Sequence, residues 1–433
     1  MRFVSSRGQS APVSLTDALF SGLAADGGLW CPERLVPLAG SFFQSLPGMP
    51  AAEVIRTVGV HLFGDEIPAA DVEVLVSSSL DFPIPLVAIG DGTWALELFH
   101  GPTLAFKDVG ARFMARLMEH AVGRDRDGDT IVLVATSGDT GSAVARAFLG
   151  VPGFHVVVLF PDGRISEPQR KLITTLGGNV SCLAVAGSFD DCQRLVKEAF
   201  ADPDLRTRLR LASANSINVG RLLPQVLYYF LAVSQLPPGS PEPIIATPSG
   251  NFGNLTAGLY AKRLGLPVQR FVAATNVNDV VPEYLETGVF RPRPSWRTLS
   301  NAMDVGNPSN FERIRALYGG DLEALRADLA GARFTDDEVI AAIAEVHAEH
   351  GYLLDPHTAV GWLAIRSLRA EHPSSPGIVL ATAHPAKFPI AVEAAIGREI
   401  ELPDALREPM GRPESVVPLA ADYGELRRFL VDR

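Results

Sequence analysis

The stretch IVLVATSGDTGSAVARAFLG, residues 131–150, decides the fold class. Five apolar residues run without interruption, a turn of small polar residues follows, and a helical pattern starts at once, which is a βα unit. IIATPSGNFGNLTAGLYAKRLG (244–265) repeats the plan. Outward from these two, apolar runs bounded by Gly or Pro recur at VVVLF (156–160), VSCLAVA (180–186), RLASA (210–214), RFVAATN (270–276) and IVLATAH (378–384). Continuous apolar runs indicate strands covered by helices on both faces. The chain therefore reads as α/β, with two mostly parallel sheets flanked by helices. Val109, Phe113 and Leu117 recur at helical spacing and predict a helix over 107–122. Pro224, inside VGRLLPQVLYYFLAV, starts or kinks the helix there. Short amphipathic pieces such as AAEVIRTVGVHLFG (51–64) predict a mainly helical region over 1–95. The run QLPPGSPEP (235–243) reads as a linker between α/β domains at 96–235 and 236–433, the second with a helix-rich insertion near 291–351.

Composition narrows the function classes. With 47% apolar and 20% charged residues in 433, the chain can build a large core and is not of the disordered type. Lys and Arg total 38 against 49 acids, net −11, without a basic stripe, which argues against a nucleic-acid binder. Cys31, Cys182 and Cys192 form no disulfide framework and no CxxC pair. No signal peptide and no run of 18 apolar residues is visible, so a cytoplasmic location away from membranes is expected.

Loops after the C-terminal ends of parallel strands are where ligands bind in such sheets. SGNFGN (249–254) opens a helix with backbone N–H groups that suit a phosphate dianion, although one such loop alone is as readily a plain helix cap. It is neither G-x-x-x-x-G-K-[ST] nor G-x-G-x-x-G, which disfavours an ordinary nucleotide site. Lys107 stands where a loop becomes a helix, among Pro102, Leu104, Ala105 and Phe106. A lysine in apolar surroundings loses ammonium stability and becomes a good imine-former, whereas a lone lysine elsewhere commonly snorkels to solvent. A buried lysine together with a phosphate-cradling loop and hydroxyl-rich strand ends is the equipment of a pyridoxal-phosphate enzyme. His347 and His350, three apart, read as a solvated helix face rather than a metal pair. His384 either orients its loop or packs, Lys387 is placed to approach a phosphate, and Phe99 and His100 shape the pocket.

ELFHGPTLAFKD, ATSGDTG, SANSIN with Arg221, PSGNFGN, ATNVND, LSNAMDV and TAHPAKFP together resemble the threonine synthase family, in its longer bacterial and fungal type. The resemblance runs from LTDALFSGLAADGGLWCPE (15–33) almost to the C-terminus. It implies the tryptophan-synthase-β-like fold of pyridoxal-phosphate enzymes and conversion of O-phospho-L-homoserine and water into L-threonine and phosphate. It further implies that Lys107 carries pyridoxal 5'-phosphate as a Schiff base and that Gly250, Asn251, Phe252, Gly253 and Asn254 cradle the cofactor phosphate. Related sequences often have Asp where Asn254 stands. By the same resemblance Thr382 faces the pyridine nitrogen, and Asp139 lies near the cofactor's 3'-oxygen. Ser137, Asp139 and Thr140 grip the substrate carboxylate, and Asn215, Ser216 and Arg221 hold the substrate's phosphate. A monomer rather than a dimer is implied. Two other readings stay open on the sequence: a dehydratase or phospho-amino-acid lyase of the same fold that releases a keto acid, and a non-catalytic binding protein built on it.

Overall fold

A computed structural model describes residues 1–123, 129–136 and 138–432. Two sheets organise it. The first is wholly parallel and five-stranded, in the order Val417–Ala420, Val180–Ala186, Phe154–Pro161, Thr130–Ala135, Arg210–Ser213. The second is six-stranded, in the order Leu329–Arg333, Arg270–Thr275, Ile244–Pro248, Gly377–Ala381, Thr93–Glu97, Leu86–Gly90. Only its last pair is antiparallel.

Alternation along each strand sends side chains to opposite faces. In the five-stranded sheet Val132 and Val134 join a core shared with the other sheet, while Ile131 and Leu133 pack against Leu195, Leu426 and Leu430 of outer helices. In the six-stranded sheet Ile378 and Leu380 face that shared core, and Val379 turns to Ile343, Trp362 and Ile365. The shared layer is filled by the helices Lys107–Val122 and Val226–Ser234, the second buried along its whole length. This double coverage is why both sheets are written as continuous apolar runs. Pro224 sits in a 3-10 turn, Leu223–Gln225, between the helical turn Val219–Leu222 and Val226–Ser234, as a residue lacking an N–H requires.

The sheets cut across the segments expected from the linker. The hairpin Leu86–Gly90 and Thr93–Glu97 belongs to the sheet otherwise built after residue 243, and Val417–Ala420 returns to the sheet built from 130–213. The stretch near 291–351 holds the helices Phe311–Leu317, Leu322–Asp328 and Asp336–His350, and Leu329–Arg333 adds an edge strand beside Arg270–Thr275. The first residues hold the helices Leu15–Ser21, Gly40–Ser45, Ala51–Phe63 and Ala69–Ser79, with a small antiparallel pair, Phe3–Ser5 and Trp30–Pro32. All three cysteines are buried thiols. Among the described residues no helix is long and apolar enough to cross a membrane, and no cluster of three or more metal-ligating side chains occurs.

Candidate active site

Lys107 is the first residue of its helix, and the loop before it is tied to the end of strand Gly377–Ala381. The Phe106 amide donates to the Thr382 carbonyl (2.9 Å), the His384 amide donates to the Leu104 carbonyl (3.1 Å), and Ala105 pairs with Ala383. Within the loop, Asp108 accepts from the Thr103 amide (2.8 Å) and the Thr103 hydroxyl (2.7 Å). Burial pushes the Asp108 carboxyl up to about 6, with those two bonds opposing. Burial likewise pushes the Lys107 ammonium down to about 8; Asp139 opposes this, and Lys387 and Arg221 add to it by repulsion. Lys107 thus has the lowered proton affinity that imine chemistry needs.

Asp139 opens the helix Asp139–Phe148 at the end of strand Thr130–Ala135. Its Oδ1 lies 2.6 Å from the Lys387 ammonium and accepts from Gln169 Nε2 at 3.1 Å, and its Oδ2 is 3.9 Å from Lys107 Nζ. Burial opposes its charge, but Lys387 and then Lys107 outweigh that and hold the carboxyl well below the usual range. Lys387, expected to approach a phosphate, is held here by Asp139 and by the Thr103 carbonyl, 2.9 Å away. Thr140 follows Asp139, half-buried. Ser137 lies outside the described residues. His384 does both things considered for it, accepting from the Ala386 amide (3.1 Å) and standing edge-on to Phe99 (5.4 Å between ring centres).

The loop 249–254 leads from strand Ile244–Pro248 into the helix Gly253–Arg263, with Phe252 in the left-handed region at φ +60°. The amides of Gly250, Asn251, Phe252, Gly253 and Asn254 donate to no group among the described residues. Backbone donors left in this way at a helix start form an anion site. The Asn254 side chain shapes the loop instead of facing a ligand. It donates to the Pro248 carbonyl (2.8 Å) and accepts from the Ser249 hydroxyl (3.1 Å) and the Leu255 amide (2.9 Å). Gly250 is required because a Cβ there would lie 2.6 Å from the Ala302 carbonyl oxygen.

Asn251 joins this loop to the third group, donating to the Ser216 hydroxyl at 2.7 Å. Asn215 and Ser216 are half-buried and Arg221 is buried. Arg221 sits beside Lys107 because Gly110 lets the lysine helix close on it: a Cβ at Gly110 would meet the Arg221 carbonyl oxygen at 2.5 Å. Its guanidinium donates to the Ala214 carbonyl (2.8 Å), but among the described residues its Nε, also buried, has no partner and it makes no ion pair. Burial pushes it down to about 10, against Asp108. A buried cation without a carboxylate partner is a receptor for an anion.

Thr382 completes the set. It is buried at the end of strand Gly377–Ala381, and its hydroxyl makes no hydrogen bond among the described residues. An amine of lowered proton affinity, a row of free amides and an uncommitted hydroxyl are the donor set that pyridoxal phosphate fits. Sequence reasoning did not find Asn310 and Arg313, which hold the pocket from behind. Asn310 Nδ2 donates to the Ser216 carbonyl (3.2 Å), and Arg313 donates to the Ile217 carbonyl (2.6 Å).

Comparison with known proteins agrees with this geometry. A family model described as pyridoxal-phosphate dependent enzyme matches residues 83–383. Models for the threonine synthase N terminus and C-terminal region match 2–80 and 358–430. Threonine synthase of Escherichia coli strain K12 is 43% identical over 433 residues, covering 100% of both chains. The chain belongs to the threonine synthase family. Threonine synthase of Haemophilus influenzae is 44% identical, with 97% of each chain covered. Crystal structures of threonine synthase from Escherichia coli (43% identity, 100% of both chains) and yeast (32%, 99% and 98%) each superpose with a TM-score of 0.92. So does the pyridoxal-phosphate-bound threonine synthase from Brucella melitensis, at 39% identity over 99% of this chain and 98% of that one. The chain is accordingly a pyridoxal-phosphate-dependent lyase with threonine synthase function, an enzyme of threonine biosynthesis, and the non-catalytic reading falls away.

Proposed function

We propose that this threonine synthase takes O-phospho-L-homoserine and water to L-threonine and phosphate, with Lys107 as its catalytic residue. The observation that carries the substrate assignment is Arg221, a buried guanidinium beside Lys107 with an unpartnered Nε and no ion pair among the described residues. With Asn215 and Ser216 it forms the receptor for the substrate's phosphate, and its fork of donors stabilises charge as that group departs.

The free amides of 250–254 hold the cofactor phosphate, and the Thr382 hydroxyl meets the ring nitrogen. When bound, pyridoxal phosphate supplies the electron sink for a carbanion at the substrate's α-carbon. Lys107 takes the α-proton because burial, which pushes its ammonium down to about 8, leaves about half of the amine neutral near that pH, and the same desolvated amine returns protons to the carbons within its reach. Asp139 acts on the cofactor side: ionised and paired with Lys387, it has no proton to offer a substrate carboxylate. That carboxylate falls to Thr140, and to Ser137 by resemblance. By the family resemblance the enzyme is a monomer, and it is assigned to the cytoplasm.

The test is incubation of pyridoxal-phosphate-loaded enzyme with O-phospho-L-homoserine and assay of products. Threonine and phosphate in equal amounts support the proposal. Phosphate with 2-oxobutanoate and no threonine moves the chain to the lyase reading. Sedimentation velocity checks the monomer.

A further inference from the structure

The structure holds a second lysine more deeply buried than the first. Lys387, in the 3-10 turn Pro385–Lys387 after strand Gly377–Ala381, has 0% of its side chain exposed, against 17% for Lys107. Among the described residues its ammonium contacts Asp139 Oδ1 at 2.6 Å and the Thr103 carbonyl at 2.9 Å. Asp139 stands between the two lysines, one oxygen turned to each. A buried ammonium is costly unless it is paired. Its carbonyl partner, Thr103, is the residue that Asp108 anchors in the lysine loop.

We propose that Lys387 is a positioning residue: its ammonium clamps Asp139 against the Lys107 amine and the Thr103 loop, and supplies the buried positive charge that favours the neutral form of that amine. The proposal rests on the assignment of Lys107 as the cofactor-bearing lysine. Its physical content is charge counting. With Lys387 present, loss of a proton from the Lys107–Asp139 pair takes the cluster from net +1 to neutral. Without Lys387 the same step leaves a buried net negative charge, which is disfavoured. The other charged groups acting on this cluster are Arg221, which repels the Lys107 ammonium, Asp108 with Arg112 beside it, and His384. None of these is close enough to Asp139 to take Lys387's place in an ion pair.

The test follows cofactor uptake by the full-length, cofactor-stripped enzyme as a function of pH. The neutral Lys107 amine condenses with the aldehyde of pyridoxal phosphate, water leaves, and the visible band grows at a rate that reports the neutral fraction. Lys387→Met should raise the half-maximal pH by at least about one unit, so uptake at pH 7.5 slows by roughly tenfold. Asp139→Asn should lower it. The double variant, which removes both charges and restores the wild-type step from net +1 to neutral, should return it close to wild type, and Lys387→Arg should keep it there. A Lys387→Met profile scaled down equally at every pH, or shifted downward, overturns the proposal; so does a double variant that keeps the Lys387→Met shift. Lys107→Ala separates the two readings. If it still takes up cofactor as a visible band, the assignment of Lys107 fails, whereas loss of the band with an unmoved Lys387→Met midpoint rejects only the role of Lys387.

Discussion

The loops 136–141 and 249–254 are built alike and finished differently. Each leaves a buried parallel strand and opens a helix, Asp139–Phe148 in one sheet and Gly253–Arg263 in the other. The first meets its helix start with its own carboxylate, which Lys387, Gln169 and Lys107 surround. The second puts no acid in its first turn and leaves its amides without partners. One helix start is charge-matched by side chains of the protein, and the other is matched only when an anion arrives. The same contrast separates the cations: Lys387 has a carboxylate and Arg221 does not. Residues on the completed side should set the stability of the empty protein, and residues on the open side should set its dealings with ligands.

The largest effect is expected at the junction of the two. Lys107→Ala should abolish the visible cofactor band and cut turnover by about 10⁴-fold, read by absorbance and threonine formation. On the open side, Arg221→Met should cost about 10² to 10³-fold in kcat/KM for the phosphorylated substrate, equivalent to ~3–4 kcal/mol. The same variant should melt about 1–2 °C higher when empty, because it removes a buried charge that has no counter-charge. On the completed side, Asp139→Asn leaves Lys387 buried and unpaired, and should destabilise the empty enzyme by about 3 kcal/mol in denaturant titration. Because Asp139 binds its proton less readily folded than unfolded, its contribution is full above the unfolded value of 3.8 and is lost as pH falls below it. The variant should therefore show a flatter acid dependence. The smallest effect belongs to Asn310→Ala, which loosens Ser216 from behind and should raise KM by a few-fold with kcat held.

Much of this was legible beforehand. Strands such as Val180–Ala186 and Thr130–Ala135 announce themselves because both faces are covered and all but one position of each, Ser181 and Thr130, is apolar. Leu329–Arg333 was missed for the opposite reason: it is an edge strand, LAGAR, whose partly exposed residues and flanking helices gave it no apolar run. The hairpin at 86–97 was hidden in the same way, its outer strand being mostly half-buried. At the site, Lys107, Arg221 and the Gly250–Asn254 loop carried signals in their own neighbourhoods. Asn310 and Arg313 carried none, since what they hold is backbone carbonyls 94 and 96 residues away. For Lys387 the sequence suggests an anion from outside, whereas the carboxylate that pairs with it comes from the end of a strand in the other sheet.

The interleaving of the two sheets has a consequence for synthesis on the ribosome. Thr93–Glu97 emerges early, yet apart from its own hairpin its sheet partner is Gly377–Ala381, made some 280 residues later. In the other sheet, Val180–Ala186 waits for Val417–Ala420. Neither half can close while the chain is still growing, so two unpaired strand edges stay open to wrong partners throughout translation. A nascent chain of this enzyme should therefore engage holding chaperones for most of its synthesis and gain protease resistance in a single late step.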